Sequence, residues 1–271
     1  MNDDGRRTYD KTYLDSVEDY AFYNCDSLER FVDAMGLYRV GKYAFANCNK
    51  LSEVYLADKL KDLGQSAFEN CFGLEKLKLS NAMYEIEDNT FKNCNSITEL
   101  FIPNSVQYIY NSAFLNCKGI KSLHLSKELK ELGNNNFNSC NNLISIDLSD
   151  GLESIGKDNF INCQNLSNVS MPKSIIEIGE GTFEKCPNLM LSGSEECYGK
   201  RYSSKNNLKY KVTADSISHN VNVNRVEIAE GIESIKSGAF SRCKNLNVIK
   251  VPSSVTFIDD DVFSNKTCYY S

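Results

Sequence analysis

Apolar positions recur along this chain every 23 residues, in three registers that stay in phase. Phenylalanine stands at Phe22, Phe45, Phe68, Phe91, Phe114, Phe137, Phe160 and Phe183. Three residues after each comes Cys25, Cys48, Cys71, Cys94, Cys117, Cys140, Cys163 or Cys186, and three further on a Leu or Ile, from Leu28 to Leu189. Coincident registers of this kind mark a repeat architecture, in which one small structural unit is copied along the chain.

Within a unit, Leu74-x-x-Leu77-x-Leu79 ends in strict alternation. Alternation predicts a short strand with one buried face. Val54/Leu56, Leu100/Ile102, Leu123/Leu125, Ile146/Leu148 and Val169/Met171 repeat it. The second half of a unit, such as Leu60-x-x-Leu63-Gly64-x-x-Ala67-Phe68, has the spacing of a short helical turn. Gly64, Gly133, Gly156 and Gly179 punctuate that half, where a left-handed or tight backbone suits glycine. A unit this small cannot bury its own apolar face. Units must therefore stack, pairing their strands as a parallel sheet around one continuous core.

The register breaks after Cys186. Leu191-Ser192-Gly193-Ser194 replaces the alternation, and Glu195 to Lys205, with Tyr198 and Tyr202 four apart, predicts a short helix. Asn206 to Tyr210 reads as a turn and strand, and the pattern resumes at Val226-x-Ile228, Ala239-Phe240 and Cys243. The expected organisation is one domain over 1–271: regular coils at 14–189, an irregular elongated coil at 190–220, and regular coils at 221–268. Both ends look like incomplete coils.

The unit Cys-x-x-Leu-x-x-Val-x-Leu, followed by Leu-x-x-Ile-Gly-x-x-Ala-Phe-x-Asn-Cys, resembles the BspA-like class of leucine-rich repeats. The irregular segment Tyr202 to Tyr210 is similar to a unit found within or ending such arrays. Proline after the strand, usual in that class, is present only at Pro103, Pro172 and Pro252. The resemblance implies an α/β repeat solenoid: a leucine-rich-repeat horseshoe with a parallel concave β-sheet and short helical or irregular convex segments. It also implies bacterial or protist surface or secreted proteins, several of them linked to adhesion to host cells or matrix. Fold likeness alone does not assign a function.

Candidate chemistry is sparse. Zinc sites need ligands close together, which a strict 23-residue spacing does not supply. Stacked cysteines lie within disulfide range, but in a ladder their side chains run parallel, so buried reduced thiols are expected. Cys197 and Cys268 fall off the ladder and are expected to be the more exposed thiols. Two histidines, His124 and His219, limit acid–base and metal schemes, and no phosphate loop, dinucleotide fingerprint or nucleophile elbow is present. No cofactor, metal or catalysis is expected. The repeated Asn before Cys (Asn24, Asn47, Asn70, Asn93, Asn116, Asn162) is read as satisfying backbone groups at a tight corner. A net charge of -6, without a cluster of Lys and Arg, argues against nucleic acid as partner. No apolar run is long enough to span a membrane.

Function is therefore sought on the outward positions of the strands. One column reads Val32, Tyr55, Lys78, Phe101, His124, Asp147, Ser170; its neighbour reads Arg30, Glu53, Lys76, Glu99, Ser122, Ser145, Asn168. The core repeats while these columns vary, as a recognition surface would. Tyr55, Lys76, Lys78, Glu99, Phe101, His124 and Asp147 are the binding candidates, because exposed aromatics among charges compose a hot spot. A protein partner, met in cell-surface adhesion or protein–protein interaction, is the leading expectation. The alternative is a structural spacer or assembly repeat of a larger protein, with no ligand of its own.

Overall fold

In the computed structural model, the described residues are 15–33, 36–194, 197–213, 225–228, 232, 234–235, 239–240, 246–259 and 262. The chain winds as a parallel-strand β-solenoid of about nine turns, with coils of about 23 residues. The expected strands form a main ladder: Arg30–Val32, Glu53–Tyr55 and Lys76–Lys78 in one run, Glu99–Phe101 and Ser122–His124 in a second. Ser145–Asp147, Asn168–Met171, Met190–Gly193 and Lys209–Val212 form a third. Partners lie one repeat apart, as in Glu53↔Lys76 and Leu100↔Leu123. In the three-residue strands the middle residue faces the core and its two neighbours face outward, as the pleat requires.

The return halves depart from expectation. The helical spacing is corrected to a second parallel ladder of two-residue strands followed by turns. Ser16–Val17, Arg39–Val40 and Asp62–Leu63 pair in one run, and Glu85–Ile86, Tyr108–Ile109, Glu131–Leu132, Ser154–Ile155 and Glu177–Ile178 pair in a second. The physical reason lies in the turns. Two residues four apart in each coil, such as Ser66 (φ 56°) and Asn70 (φ 63°), are left-handed, which no α-helix admits. The amides alternate between two fates. Ser66, Phe68 and Asn70 donate to Asp88, Thr90 and Lys92 carbonyls of the next coil, while Ala67, Glu69 and Cys71 close i−3 turns. Half the hydrogen bonds of each turn thus depend on a neighbouring coil, so no coil satisfies itself.

Of the two roles expected for Gly64, Gly133, Gly156 and Gly179, these positions serve tight approach and not left-handed backbone. A Cβ at Gly64 would stand 2.7 Å from Gly41 C and Lys42 N, and Gly133, Gly156 and Gly179 are similarly pressed. The Asn column also works differently from expectation. Asn24, Asn47, Asn70, Asn93, Asn116 and Asn162 are left-handed. From Asn47 to Asn116, each amide donates to the side-chain oxygen of the one before, at 2.6–2.9 Å, rather than to backbone. Asn tolerates the left-handed region better than most residues, and one residue type here sets both corner and ladder.

Inside, the phenylalanine rings stack face to face at 5.0–5.6 Å from Phe22 to Phe183. Beside them run the free, buried cysteines Cys48 to Cys186. Each thiol donates to the carbonyl of the Phe one coil back, as in Cys117 to Phe91 O at 3.2 Å. Burial drives the thiols of this column upward, Cys117 to about 12.

In the segment 190–213 the main ladder persists while the others stop. Met190 pairs with Lys209, a step of 19 residues, and helix α1 (Tyr198–Lys205) replaces the second-ladder strand. Tyr202 meets Phe183 edge-on at 6.1 Å and ends the ring stack. Cys197 corrects an expectation. It is buried, 4% exposed, and its Sγ lies 2.9 Å from the Tyr210 hydroxyl. The strand Lys209–Val212 folds over it, so distance from the ladder in sequence does not mean exposure. Cys268 and His219 lie outside the described residues. Beyond 224, the strands Arg225–Glu227 and Val248–Lys250 pair, as do Ser234–Ile235 and Phe257–Ile258, around Val226, Ile235, Phe240 and Leu246.

Candidate interaction surface

The outward columns of the main ladder bring some of the candidate residues together and leave others apart. Phe101 and His124 lie opposite each other in register and stack at 4.4 Å with planes 3° apart. Phe101 is 53% exposed, although Leu100 beside it is fully buried. Ser122 Oγ is 2.9 Å from His124 Nε2, and Glu99 Oε1 lies 3.9 Å from the same nitrogen. Asp147, on the next strand, joins Phe101, Ser122, His124 and Ser145 in lining a shallow pocket. Glu99, Phe101, His124 and Asp147 therefore form one patch.

Tyr55, Lys76 and Lys78 sit earlier along the ladder, and their charges are partly spent within the molecule. Glu53 lies between two cations, 2.6 Å from Arg30 Nε and 2.6 Å from Lys76 Nζ. The hydrogen bond from Lys76, with the Arg30 charge nearby, holds the Glu53 carboxyl below its ordinary range. Lys78 Nζ is 3.8 Å from Asp58. Tyr55, half-buried, faces Lys78 in register.

The patch is an open sheet surface that carries an aromatic shelf, an imidazole and carboxylates. Among the described residues no group of three or more His, Cys, Asp or Glu is placed to hold a metal ion. Nor, among them, is any helix long and apolar enough to cross a membrane.

A second face escaped the sequence reading. Tyr84, Tyr108 and Tyr110, with Glu85, Glu87 and Glu131, stand on the outward side of the second ladder. Reading that half as helical scattered them. The available signal was the glycine column, which Glu87 and Tyr110 interrupt between Gly64 and Gly133.

Comparison with known proteins places these features. No curated protein matches the chain by sequence. Among solved structures, a leucine-rich repeat protein from Bacteroides ovatus ATCC 8483 is 18% identical over 90% of this chain and 78% of its own, with a TM-score of 0.50. The T. pallidum leucine-rich repeat protein is 26% identical over 72% of this chain and 78% of its own, also with a TM-score of 0.50. The family model described as BspA type leucine rich repeat region matches in six copies, over residues 15–143, 84–192 and 203–270. With that match covering most of its length, the chain belongs to the BspA type leucine rich repeat family.

Proposed function

We propose that the protein is a non-catalytic protein-binding module that uses the outward face of its main ladder, at the cell surface or after secretion. Membership of a repeat family whose proteins are typically interaction modules supports the general reading. The observation that carries the specific one is the Phe101–His124 shelf, a stacked and exposed aromatic pair on a sheet whose inward positions stay apolar from coil to coil. Rigid aromatics offer contact area at small entropic cost, and charged neighbours supply orientation. In this reading the main sheet is the concave side of a horseshoe. Glu99, Phe101, His124 and Asp147 form the centre, with Tyr55, Lys76 and Lys78 as its flank. The partner is a protein, for adhesion a host-cell or matrix protein, and the whole chain 1–271 acts as one repeat domain. No cofactor enters.

The test is retention of host-cell and matrix proteins by the native chain against a Tyr55→Ala, Phe101→Ala, His124→Ala variant of unchanged circular dichroism. Loss of a saturable partner in the variant supports the main-ladder face. Retention in both moves the site elsewhere. Absence of any partner for the native chain favours a structural spacer within a larger assembly.

A further inference from the structure

The main ladder shows how this chain neutralises a stacked column. Arg30, Glu53 and Lys76 are register partners on three successive strands, a carboxylate between two cations. The second ladder carries the complementary arrangement without its positive member. Glu85, Tyr108 and Glu131 are register partners on three successive strands, a phenol ring between two carboxylates. With paired strands about 4.8 Å apart, the two carboxylates stand roughly 10 Å from each other across the ring.

The surroundings make this a surface rather than a chance column. Tyr84 packs against Tyr108 at 5.4 Å and is 51% exposed. Tyr110 donates its hydroxyl to Glu85 Oε2 at 3.2 Å. Glu87, beside them, has its carboxyl raised by burial and by Glu85. Among the described residues no Lys or Arg nitrogen lies within 4.0 Å of Glu85, Glu87 or Glu131. Lys42 and Lys130 act on Glu87 and Tyr84 only through their longer-range charge. Elsewhere the chain covers tyrosines with its own cations: Lys61 over Tyr38, Arg201 over Tyr198 and Lys200 over Tyr210, at 5.2–5.8 Å. Among the described residues no cation covers Tyr84, Tyr108 or Tyr110.

The glycine column adds a packing observation. At Gly41, Gly64, Gly133, Gly156 and Gly179 a Cβ would press into the preceding coil at 2.4–2.9 Å. At the two intervening positions the chain carries Glu87 and Tyr110. The glycine column is interrupted where the tyrosines and carboxylates gather.

We propose that this second-ladder face is a docking surface for a cationic polypeptide segment, with an arginine or lysine lying on Tyr108 between Glu85 and Glu131. Tyr84 and Tyr110 flank the seat. Cation–π contact and charge-assisted hydrogen bonds act together there, and guanidinium serves both better than ammonium. The surface is separate from the Phe101–His124 shelf.

The probe is a short peptide of alternating arginine and serine, titrated calorimetrically into the full chain at physiological salt. Saturable binding at one site is expected. It should weaken about tenfold in Tyr108→Leu and at least as much in Glu85→Gln/Glu131→Gln, whose isosteric changes preserve the fold. A Phe101→Ala/His124→Ala variant should bind unchanged, and the lysine version of the peptide should bind less well. Absence of saturable binding overturns the proposal. So does equal affinity for Tyr108→Leu, equal binding of a glutamate–serine peptide, or loss of binding in the Phe101→Ala/His124→Ala variant.

Discussion

The regular coils and the coil at 190–213 solve the same problem in opposite ways. A regular coil sends every second turn amide to its neighbour and adds one ring, one thiol and, over much of the array, one amide to columns shared along the solenoid. The later coil turns its return half into helix α1, whose hydrogen bonds close within the segment instead of reaching a neighbouring coil, and keeps only the main-ladder strands in common with the rest. The second ladder, the ring stack and the thiol column end together at that point. Stability in the first region is a property of neighbours, as in a one-dimensional array, whereas the second carries more of its order locally.

Alkaline titration should expose that difference most strongly. The inner thiols Cys71, Cys94, Cys117, Cys140 and Cys163 are held protonated by burial, above their ordinary value of 9.0. The unfolded chain ionises them near that value and the fold does not. Stability is therefore whole below pH 9 and falls as pH rises from 9 towards about 12, where Cys117 ionises in place. Each thiol contributes up to about 1.4 kcal/mol of loss per pH unit in that window. Urea midpoints should change little from pH 8 to 9 and fall steeply from 9 to 10; a flat profile would mean that the column is open to solvent.

Next in size is the ring stack. Phe114 is fully buried between Phe91 and Phe137, at 5.4 and 5.5 Å. Phe114→Ala should cost about 3–5 kcal/mol. Tyr202→Ala, at the end of the stack with one ring neighbour, should cost less by the same urea measurement. Equal losses would abolish the distinction drawn between the two regions.

Coil spacing is tested by Gly64→Ala, whose new methyl would meet backbone at 2.7 Å and should cost about 1–3 kcal/mol. Gly151→Ala, with its nearest contacts at 3.6 Å, should be tolerated. The smallest effect is expected at the corners. Asn93 is left-handed and bonded to Asn70 and Asn116. Asn93→Ala should lose about 1–2 kcal/mol, and Asn93→Gly should recover the backbone share of it. Thermal melts of the two variants separate the contributions.

Much of this fold was legible because stacking rewards repetition. A ring that packs on its own copy, or a thiol that meets the same carbonyl each turn, leaves an in-phase column in the sequence. The helix was legible too, from Tyr198 and Tyr202 on one face. The second ladder was not. A strand of two residues buries only one of them, as in Tyr108–Ile109, and so leaves no alternation to read. The outward patch at Glu99, Phe101, His124 and Asp147 followed from alternation in the longer strands, whereas Tyr84, Tyr108 and Tyr110 needed the second ladder before they could be placed together.

By itself the sequence determined the period, the stacked interior, the parallel main ladder and the place where regularity stops. These depend on which residues recur, and recurrence is visible along one dimension. Only the tertiary structure decided that the asparagines bond to one another, that glycine serves close approach, and that Cys197 is covered by Tyr210. Those outcomes depend on distances between coils and on which atoms face across them, which a linear pattern does not encode.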